Sequence, residues 1–466
     1  MNNIDYFNSV AQDRAKWRKK YYYFHHLFTR YMKFHVPEDS SVLDIGCETG
    51  ELLHDLKPSN GMGIDISENM INIAKEKFPH LHFCNQSLED LQIDETFDYI
   101  VLSNTIGYFS DIQESIQQFK GFCHPRSRVI VTTYNQLWQP VLKLAEGLGL
   151  RMHWPEKHWL SPHDIEGLFK LEDFELIKKE RKILFPLNIP LISAFFNKFL
   201  VNLPIFRHLA LVTIMIFRPV KQRKDPRDVT CTIVVPCRNE KGTIEQAVTR
   251  MPKMGPRTEI IFIEGGSQDG TYEECLKIKE KYPGFDIKVM QQKGKGKGNA
   301  VRESFAAATG DVLMILDADL TVPPEDLIKF YEAIVSSKGE FINGSRLVYK
   351  MEKKAMRFLN LVANKSFSVI LTYLVGQYLK DTLCGTKVLW REDYKLIEKG
   401  RSYFGEFDPF GDFDLLFGAA KLNLKIAEIP IHYKDRVYGS TQISRFRHGW
   451  LLIQMTLFAA RKIKFL

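Results

Sequence analysis

The sequence predicts an α/β protein of two domains. Short apolar runs alternate with helical segments along the chain, and its 466 residues exceed one ordinary core, since a domain takes about 100 to 200 residues. The stretch VKQRKDPRDVT at 220–230 carries proline and many charges without an apolar period, as interdomain linkers do. We therefore expect one domain at 1–219, a linker at 220–228 and a second domain at 229–466.

The first half predicts a parallel sheet covered by helices on both faces. Five short apolar segments have the length and composition of buried strands, namely SVLDIG, GMGIDI, LHFCN, FDYIVLS and RVIVTTY. Two further runs, FELIKKERKI and LALVTIMIF, frame a helical insertion from about 187 to 208. The second half repeats this alternation with the strands CTIVVP, EIIFIEG, DIKVMQQ, DVLMILDAD and EFINGSR. The halves share architecture but no motif, so we see no internal repeat.

A helix is predicted at 14–34, before the first strand. Aromatic residues recur there at helical spacing among Arg and Lys, at Trp17, Tyr21, Phe24, Phe28 and Tyr31. This stripe is either a packing surface or a cationic, aromatic lid over a ligand.

Composition narrows the class of partner. A net charge of +8 and a pI near 8.9 fit partners that carry phosphate, such as a sugar nucleotide, a lipid phosphate or an acidic bilayer, although a solvated basic surface also accounts for them. No nucleic-acid reader motif occurs. The seven cysteines show no metal-like spacing, and we expect them to be reduced. With neither a signal-like nor a membrane-spanning apolar stretch, we expect a cytoplasmic protein, peripheral at most on the inner face of the plasma membrane.

The first chemical motif is VLDIGCETG at 42–50, a strand that runs into a glycine-bearing turn and a helix. Asp44, Gly46 and Gly50 lie where a backbone must approach a ligand closely, which requires small residues. Asp65 ends the adjacent predicted strand and is placed to accept hydrogen bonds from two ribose hydroxyls. The combination predicts a site for a nucleoside cofactor.

This region, roughly 35–220, resembles the class I S-adenosylmethionine-dependent methyltransferases with their Rossmann-like fold. The resemblance implies that Asp44 and the turn from Gly46 to Gly50 hold the methionine portion, that Asp65 binds the ribose, and that Asn104 borders the methyl group. It also assigns further cofactor contacts to Cys47, Ile66, Ser87 and Leu88, the last two at the adenine edge.

Two departures leave an alternative open for this domain. The middle glycine of the family's turn is Glu48, and the aspartate usual at the adenine contact is Ser87. The domain is therefore either a methyltransferase or a binding or scaffold module without turnover. Tyr134 and Asn135 are candidates for the acceptor side, with a plain turn as the alternative.

The second motif is the Asp-Ala-Asp of VLMILDADL at 312–320. Asp317 and Asp319 stand two apart on a predicted strand, so both carboxylates leave the same face and suit Mg²⁺ or Mn²⁺ bound to a diphosphate. A metal there would neutralise charge on a leaving nucleoside diphosphate. The supporting context is a series of further motifs in order, namely VVPCRNE, EGGSQDGT, NGSR, DTLCGTK and DRVYGST.

Residues 229–450 resemble the family-2 glycosyltransferases of the nucleotide-diphospho-sugar transferase (GT-A) fold, most closely the dolichyl- or polyprenyl-phosphate sugar synthases. The resemblance gives Asp317 and Asp319 to the metal and diphosphate. It gives the nucleotide to Pro236, Arg238, Glu240 and Glu264. Arg346 and Arg436 would grip an acceptor lipid phosphate. Lys297, in a run of lysines and glycines, lies either near the phosphates or in a solvated loop.

A hydroxyl acceptor would need a general base, and the candidates are Asp412, then Asp381 and Asp414; a phosphate acceptor would need none. Gly265 and Gln442 depart from the family's paired acids and lysine. The terminal run at 449–460 is too short to span a membrane and predicts either an interfacial or a docked helix. The whole chain predicts a methyltransferase fused to an inverting, metal-dependent glycosyltransferase, with a polyprenyl phosphate or a glycan as acceptor.

Overall fold

The computed structural model describes residues 3–155, 157–220, 224–349, 358–403, 411–439 and 445–465. The chain forms two compact units, one of Met1–Lys221 with Lys464–Leu466 and one of Gln222–Ile463. Both are α/β, as predicted from the sequence. The predicted linker at 220–228 includes residues 221–223, which lie outside the described part.

The first unit is built on a seven-stranded sheet in the order β3-β2-β1-β4-β5-β7-β6. Its strands are β1 Ser41–Ile45, β2 Asn60–Asp65, β3 His82–Asn85, β4 Phe97–Ser103, β5 Cys123–Tyr134, β6 Phe174–Lys182 and β7 Val212–Pro219. Strands β1 to β5 are parallel. Neighbouring residues Val42 and Leu43 of β1 belong to different apolar clusters, so both faces of the sheet are covered, as predicted.

The last two strands close this sheet in an order that the sequence did not show. Strand β7 inserts between β5 and β6 and pairs antiparallel with both. The two apolar runs that frame the insertion therefore form neighbouring strands, and of these two only β6 lies at an edge of the sheet. All eight residues of β7 are buried, which explains its mainly apolar sequence; the buried Arg218 pairs with Glu175.

The helices of the first unit begin at recognisable sequence signals. Ser67 and Asp111 accept a backbone N–H in the first turn of their helices, and Ser161 with Asp164 forms a capping box. The predicted helix at 14–34 is broken at Tyr21. The helices are α1 Asn3–Val10, α2 Arg14–Lys20, α3 Tyr22–His35, α4 Glu51–Leu56, α5 Glu68–Lys77, α6 Ile112–Lys120, α7 Gln139–Gly147, α8 Pro162–Leu171 and α9 Ile192–Ala194.

The second unit has its own seven-stranded sheet, in the order β10-β9-β8-β11-β13-β12-β14. Its strands are β8 Cys231–Cys237, β9 Thr258–Glu264, β10 Asp286–Gln291, β11 Val312–Ile315, β12 Phe341–Ser345, β13 Lys387–Trp390 and β14 Ile426–Pro430. Strand β13 runs antiparallel to both of its neighbours. The sequence analysis missed β13 and β14, because four or five residues carry little periodic signal.

Eight helices of the second unit lie in the described ranges, and α17 includes the terminal run. They are α10 Ile244–Thr249, α11 Thr271–Lys281, α12 Lys297–Ala307, α13 Leu327–Val335, α14 Phe358–Val375, α15 Arg391–Lys399, α16 Asp412–Lys421 and α17 Arg445–Ile463. In α17 Met455 and Ala459 are buried while Trp450 and Leu457 are exposed, so one face is docked and another is open. Within the described ranges, no helix is long and apolar enough to cross a membrane. All seven cysteines are free thiols.

Candidate functional site

A cavity of about 1170 Å³ opens in the first unit at the carboxyl ends of β1, β2 and β4. This is where a parallel sheet of this kind binds its ligands. The cavity is lined by seven of the residues predicted to contact a cofactor, namely Asp44, Gly46, Cys47, Asp65, Ile66, Leu88 and Asn104. Oδ1 of Asp44 and Oδ1 of Asn104 are buried and have no hydrogen-bond partner among the described residues.

Three carboxylates meet in this cavity. Asp65 accepts the backbone N–H of Glu48 at 3.0 Å and that of Ser67 at 2.9 Å. Burial raises the pKa of Asp44 to about 8, and the charges of Glu48 and Asp65 add to the effect. Burial likewise raises the pKa of Asp65 to about 6. A cationic ligand would relieve this repulsion, so this part of the cavity suits a positive charge.

The turn after β1 adopts left-handed backbone conformations that explain two of its glycines. Gly46 has φ 77° and Gly50 has φ 81°, and a Cβ on Gly46 would stand 2.5 Å from Oγ1 of Thr105. Glu48 has φ 50°, where the related family has glycine, and its carboxylate is paired with the buried Arg14. Sequence reasoning missed Arg14, because nothing in the spacing links residues 34 positions apart.

Two predicted cofactor residues do not line the cavity. Gly50 starts α4 and packs against Phe83, whose ring a Cβ would meet at 2.7 Å. Ser87 donates its hydroxyl to Asp90 at 2.8 Å and accepts the Asp90 N–H, so it stabilises a turn. Its neighbours Gln86 and Leu88 line the cavity instead. Cofactor contact by Ser87 therefore lacks support in this structure.

A cation enclosed by aromatic rings forms another part of the cavity wall. Nζ of Lys157 lies 5.5, 5.0 and 5.3 Å from the ring centroids of Tyr108, Tyr134 and Trp159. Burial lowers the pKa of Lys157 to about 8, with a further contribution from Arg151. Only Tyr134 of this group was singled out from the sequence, since the others come from two separate segments, at Tyr108 and at 157–159.

Contacts of Asn135 and of the aromatic stripe bear on two alternatives that the sequence left open. Asn135 accepts the N–H of Leu137 and donates to the His208 and Ala210 carbonyls, so it stabilises a turn. In the stripe at 14–34, Tyr31 is buried in the core while Phe24 and Phe28 also line the cavity, and the lid over a ligand stays a prediction.

In the second unit, Asp317 and Asp319 follow the end of β11. The strand ends at Ile315, so the two aspartates lie in a turn and not on a strand, which corrects the sequence interpretation. Oδ1 of Asp317 is 2.6 Å from Nζ of Lys297. Oδ2 of Asp319 accepts a hydrogen bond of 2.7 Å from Arg436. Each carboxylate is thus held by its own cation.

The same arginine links a third carboxylate to this site. Arg436 also donates to Oε1 of Glu240 at 2.8 Å. Burial raises the pKa of Glu240 to about 7 against the opposing effect of Arg436. Burial favours the neutral form of Asp317, but Lys297, with Arg346 and Lys387, outweighs it and lowers the pKa. The predicted role of Arg436 as a phosphate ligand therefore competes with two ion pairs.

Gly385, in the motif DTLCGTK, approaches Asp317 closely. A Cβ at this glycine would stand 2.1 Å from Oδ2 of Asp317 and 2.6 Å from Nζ of Lys297. Any side chain would displace the ion pair, so this position needs glycine. The motif is visible in the sequence, but the close approach of Gly385 to Asp317 is not, because it depends on β13 lying beside β11.

The predicted nucleotide residues occupy the ends of β8 and β9. Pro236 lies in β8 and exposed Arg238 follows it, while Glu240 is buried. Glu264 ends β9 and accepts the backbone N–H of Ser267. These four residues stand on adjacent parallel strands or directly after them.

The residues predicted to handle the acceptor are paired with each other. Arg346 donates to Asp381 through Nε at 2.7 Å and Nη2 at 2.9 Å, and Asn364 donates to the same carboxylate at 2.9 Å. Burial would raise the pKa of Asp381, but Arg346 lowers it to about 2. Such a carboxylate is a poor proton acceptor, and the structure argues against Asp381 as a base. The ion pair with Asp381 also engages the guanidinium of Arg346.

The two remaining candidate bases lie at α16. Asp414 is buried, accepts a hydrogen bond from Arg401 at 2.9 Å and lies 3.3 Å from Arg302. The side chain of Asp412 lies outside the described residues.

The donor set of the second site fits a hard divalent cation only in part. In the described portion of the chain, no group of three or more His, Cys, Asp or Glu could hold a metal ion. Asp317 and Asp319 offer two carboxylates, the number that Mg²⁺ commonly takes from protein when phosphates and water supply the rest. The set therefore fits a metal that arrives with a diphosphate.

Comparison with known proteins agrees with the division of the chain. Residues 16–179 match the family model described as methyltransferase domain, and residues 232–395 match the one described as glycosyl transferase family 2. A solved SAM-dependent methyltransferase from Thermotoga maritima, described as a possible histamine N-methyltransferase, is 15% identical, with 47% of this chain and 99% of that chain covered and a TM-score of 0.37.

Two curated relatives match the second half. A dolichol-phosphate mannosyltransferase from Pyrococcus furiosus is 27% identical over 246 residues, which cover 50% of this chain and 66% of that protein. A dolichyl-phosphate beta-glucosyltransferase from Saccharomyces cerevisiae is 28% identical over 239 residues, which cover 46% of this chain and 70% of that protein. The chain spans about two thirds of the length of these relatives.

Proposed function

Because the chain is a transferase that joins a methyltransferase domain to a family 2 glycosyltransferase domain, we propose that both domains act, and on related acceptors. The second domain transfers a sugar, with inversion and with a divalent metal, from a nucleotide diphosphate donor to polyprenyl phosphate or a glycan. The first domain methylates the same glycan, lipid intermediate or sugar with S-adenosylmethionine. We also propose that the first domain ends at residue 219 and that the second begins at residue 229.

The pairing of Asp317 with Lys297 and of Asp319 with Arg436 is the observation that carries the glycosyl-transfer proposal. Carboxylates and cations interleaved at a strand end match a metal diphosphate, which presents both charge signs. On donor binding the carboxylates would turn to the metal, and Lys297 and Arg436 to phosphate oxygens. The metal would neutralise charge on the leaving diphosphate. Glu240 would keep Arg436 in place during this exchange.

The state of the two candidate bases whose side chains are described favours a phosphate acceptor over a hydroxyl. Asp381 and Asp414 are engaged with arginines, and an ionised phosphate attacks without a base. The names of the two curated relatives, each of which includes a dolichol or dolichyl phosphate, agree with this acceptor class. They differ in the sugar, so the donor sugar remains to be found by assay. The proposal includes a cytoplasmic location with peripheral contact to the membrane that holds such an acceptor.

The cavity of the first unit supports the methyl-transfer proposal. S-adenosylmethionine carries an ammonium and a sulfonium, and the unpartnered Asp44 with Asp65 offers carboxylates to positive charge. The cofactor would supply an electrophilic methyl group. The protein's own part is to orient the acceptor against it, and the enclosed Lys157 with Tyr108 and Tyr134 forms the wall that can do so.

The alternative is that the methyltransferase domain binds but does not turn over. Glu48 in the turn and Ser87 off the cavity are the observations that favour it. Calorimetric titration with S-adenosylmethionine and with sugar nucleotides, with and without Mn²⁺, separates the two. Asp65→Asn should abolish only the first binding and Asp317→Asn only the second. The exposed Asp94→Asn and Asp228→Asn are matched controls that should change neither.

A second assay follows methyl transfer to glycolipid products of the same chain. Binding of S-adenosylmethionine with no transfer to any product would establish the scaffold alternative. Absence of metal-dependent sugar-nucleotide binding would overturn the glycosyl-transfer proposal.

A further inference from the structure

An exposed apolar segment connects strands β6 and β7 of the first unit. Ten large apolar side chains within residues 187–209 are between 37% and 86% exposed, namely Leu187, Ile189, Leu191, Ile192, Phe195, Phe199, Leu203, Ile205, Phe206 and Leu209. Single exposed apolar residues are ordinary, but so many in 23 consecutive positions form a patch of the kind that marks an interaction site.

Two polar residues of this segment, Ser193 and Asn197, face inward. Asn197 is 2% exposed, accepts the N–H groups of Leu184 and Phe185 at 2.8 and 3.0 Å, and donates to the Phe185 carbonyl. Ser193 is equally buried and donates to the Leu187 carbonyl at 2.6 Å. These bonds fix the backbone so that its apolar face points to the surroundings. The exposure of the apolar side chains is therefore fixed by specific hydrogen bonds of Ser193 and Asn197 and is not the result of a loose loop.

Charge around the segment has one sign. Between Glu180 and Asp225 the sequence contains no acidic residue, and within the segment Lys198 and Arg207 are exposed. Apolar side chains accompanied by cations and free of carboxylates complement a bilayer surface that carries anionic lipids. A second copy of the chain would bring the same cations against each other.

A second apolar stripe adjoins the segment. Val141 and Leu144 on α7, with Leu137 just before it and Leu148 just after it, form this stripe and are 53% to 64% exposed. Nε1 of Trp138, at the start of this helix, donates to the Leu209 carbonyl at 2.7 Å. The same helix lines the cavity through Gln139, Leu142 and Lys143. The stripe therefore connects the apolar segment to the site proposed for methyl transfer.

We propose that residues 187–209 and the exposed stripe of α7 form a docking surface for a bilayer that contains anionic lipids. The surface lies in the interface and does not span, because its longest continuous helical run covers only residues 192–202. It brings the cavity to the membrane, so the methyl acceptor is a lipid-linked molecule at the bilayer surface. That last step rests on the function proposed above, whereas the docking itself does not.

The test is co-sedimentation of the full chain with vesicles of phosphatidylcholine containing about 30 mol% phosphatidylglycerol. Wild type should pellet with these vesicles, and the affinity should fall about tenfold or more in Phe195→Glu/Ile205→Glu. Each substitution removes an exposed apolar side chain that would enter the bilayer, and adds a negative charge that the anionic lipids repel. Leu171→Glu/Leu276→Glu, which alters exposed leucines elsewhere, is the matched control and should bind as wild type does.

Three outcomes would overturn the docking surface. One is no pelleting of wild type, the second is equal binding by wild type and the Phe195→Glu/Ile205→Glu variant, and the third is equal binding to pure phosphatidylcholine. If wild type does not bind vesicles but forms a dimer, and the Phe195→Glu/Ile205→Glu variant is a monomer, the surface is a contact with a second copy of the chain. Titration with S-adenosylmethionine in the absence of vesicles should give the same affinity for all variants, which separates a failed surface from a failed cofactor site.

Discussion

The two units place acidic residues at the carboxyl ends of their strands, but they compensate the charge in opposite ways. In the first unit, burial raises the pKa of Asp44 and of Asp65, with nearby carboxylates adding to the effect. In the second, Lys297 holds Asp317, and Arg436 holds Asp319. Among the described residues, no ion pair joins Asp44 or Asp65 to a cation, whereas Asp317 and Asp319 each have one.

This difference indicates what each site is built to receive. An uncompensated pair of carboxylates in a cavity gains most from a cationic ligand, as a sulfonium cofactor is. A set of paired charges gains from a ligand that offers both signs, as a metal diphosphate does. Glu48 sharpens the contrast, because Arg14 pairs with it while neither aspartate has an ion-pair partner among the described residues.

The largest effect is expected for Asp317→Asn. The change removes one of two metal carboxylates and also releases Lys297, so glycosyl transfer should fall about 100-fold or more. Steady-state transfer from the sugar nucleotide that binds in calorimetry measures it, with Asp228→Asn as the exposed control. A variant that retains wild-type rates would show that the charges at this site are structural only.

Stability against pH tests the uncompensated cavity. Since the folded pKa of Asp44 is about 8 and lies above the unfolded value, its contribution is present at low pH and is lost as pH rises from about 4 to about 8. The loss can reach about 1.4 kcal/mol per pH unit. Denaturation of the ligand-free chain should therefore show Asp44→Asn to be more stable than wild type at pH 8, and the advantage should vanish near pH 4.

The control for that experiment is Asp94→Asn, an exposed aspartate of the same unit. Equal pH dependence of wild type and Asp44→Asn would mean that Asp44 is already compensated, and the contrast between the two sites would fail.

Cofactor binding should release protons. A cationic ligand lowers the raised pKa values of Asp44 and Asp65, so the affinity for S-adenosylmethionine should increase between pH 6 and pH 8, by up to about tenfold per pH unit for one group. Calorimetry in two buffers of different ionisation enthalpy gives the number of protons directly. An affinity that is flat over this range would exclude the two aspartates as partners of the positive charge.

The smallest effect is expected for Arg436→Lys. The change keeps the charge but loses the planar fork that joins Asp319 to Glu240, so donor affinity should fall only about three- to tenfold. Arg436→Gln, which also removes the charge, should cost more, and the difference between the two variants separates charge from geometry. Identical titrations of both variants with sugar nucleotide would assign the role to geometry alone.

The sequence by itself determined the alternation of strands and helices, the two α/β units and the chemical motifs. These signals are local, since the period of apolar residues and the glycine turn before a helix do not depend on distant partners. Hence Asp44, Asp65, Asp317 and Asp319 were found at strand ends, and Gly46 was found in its turn.

Only the tertiary structure decided what these residues face. Arg14 reaches Glu48, Arg436 joins Glu240 to Asp319, Gly385 lies against Asp317, and Arg346 takes Asp381, all across long stretches of chain. Charge compensation depends on distance in space and on burial, and neither is written in the spacing of residues. For the same reason the apolar insertion was recognised from the sequence as helical, but its outward face emerged only when Ser193 and Asn197 were seen to occupy the inside.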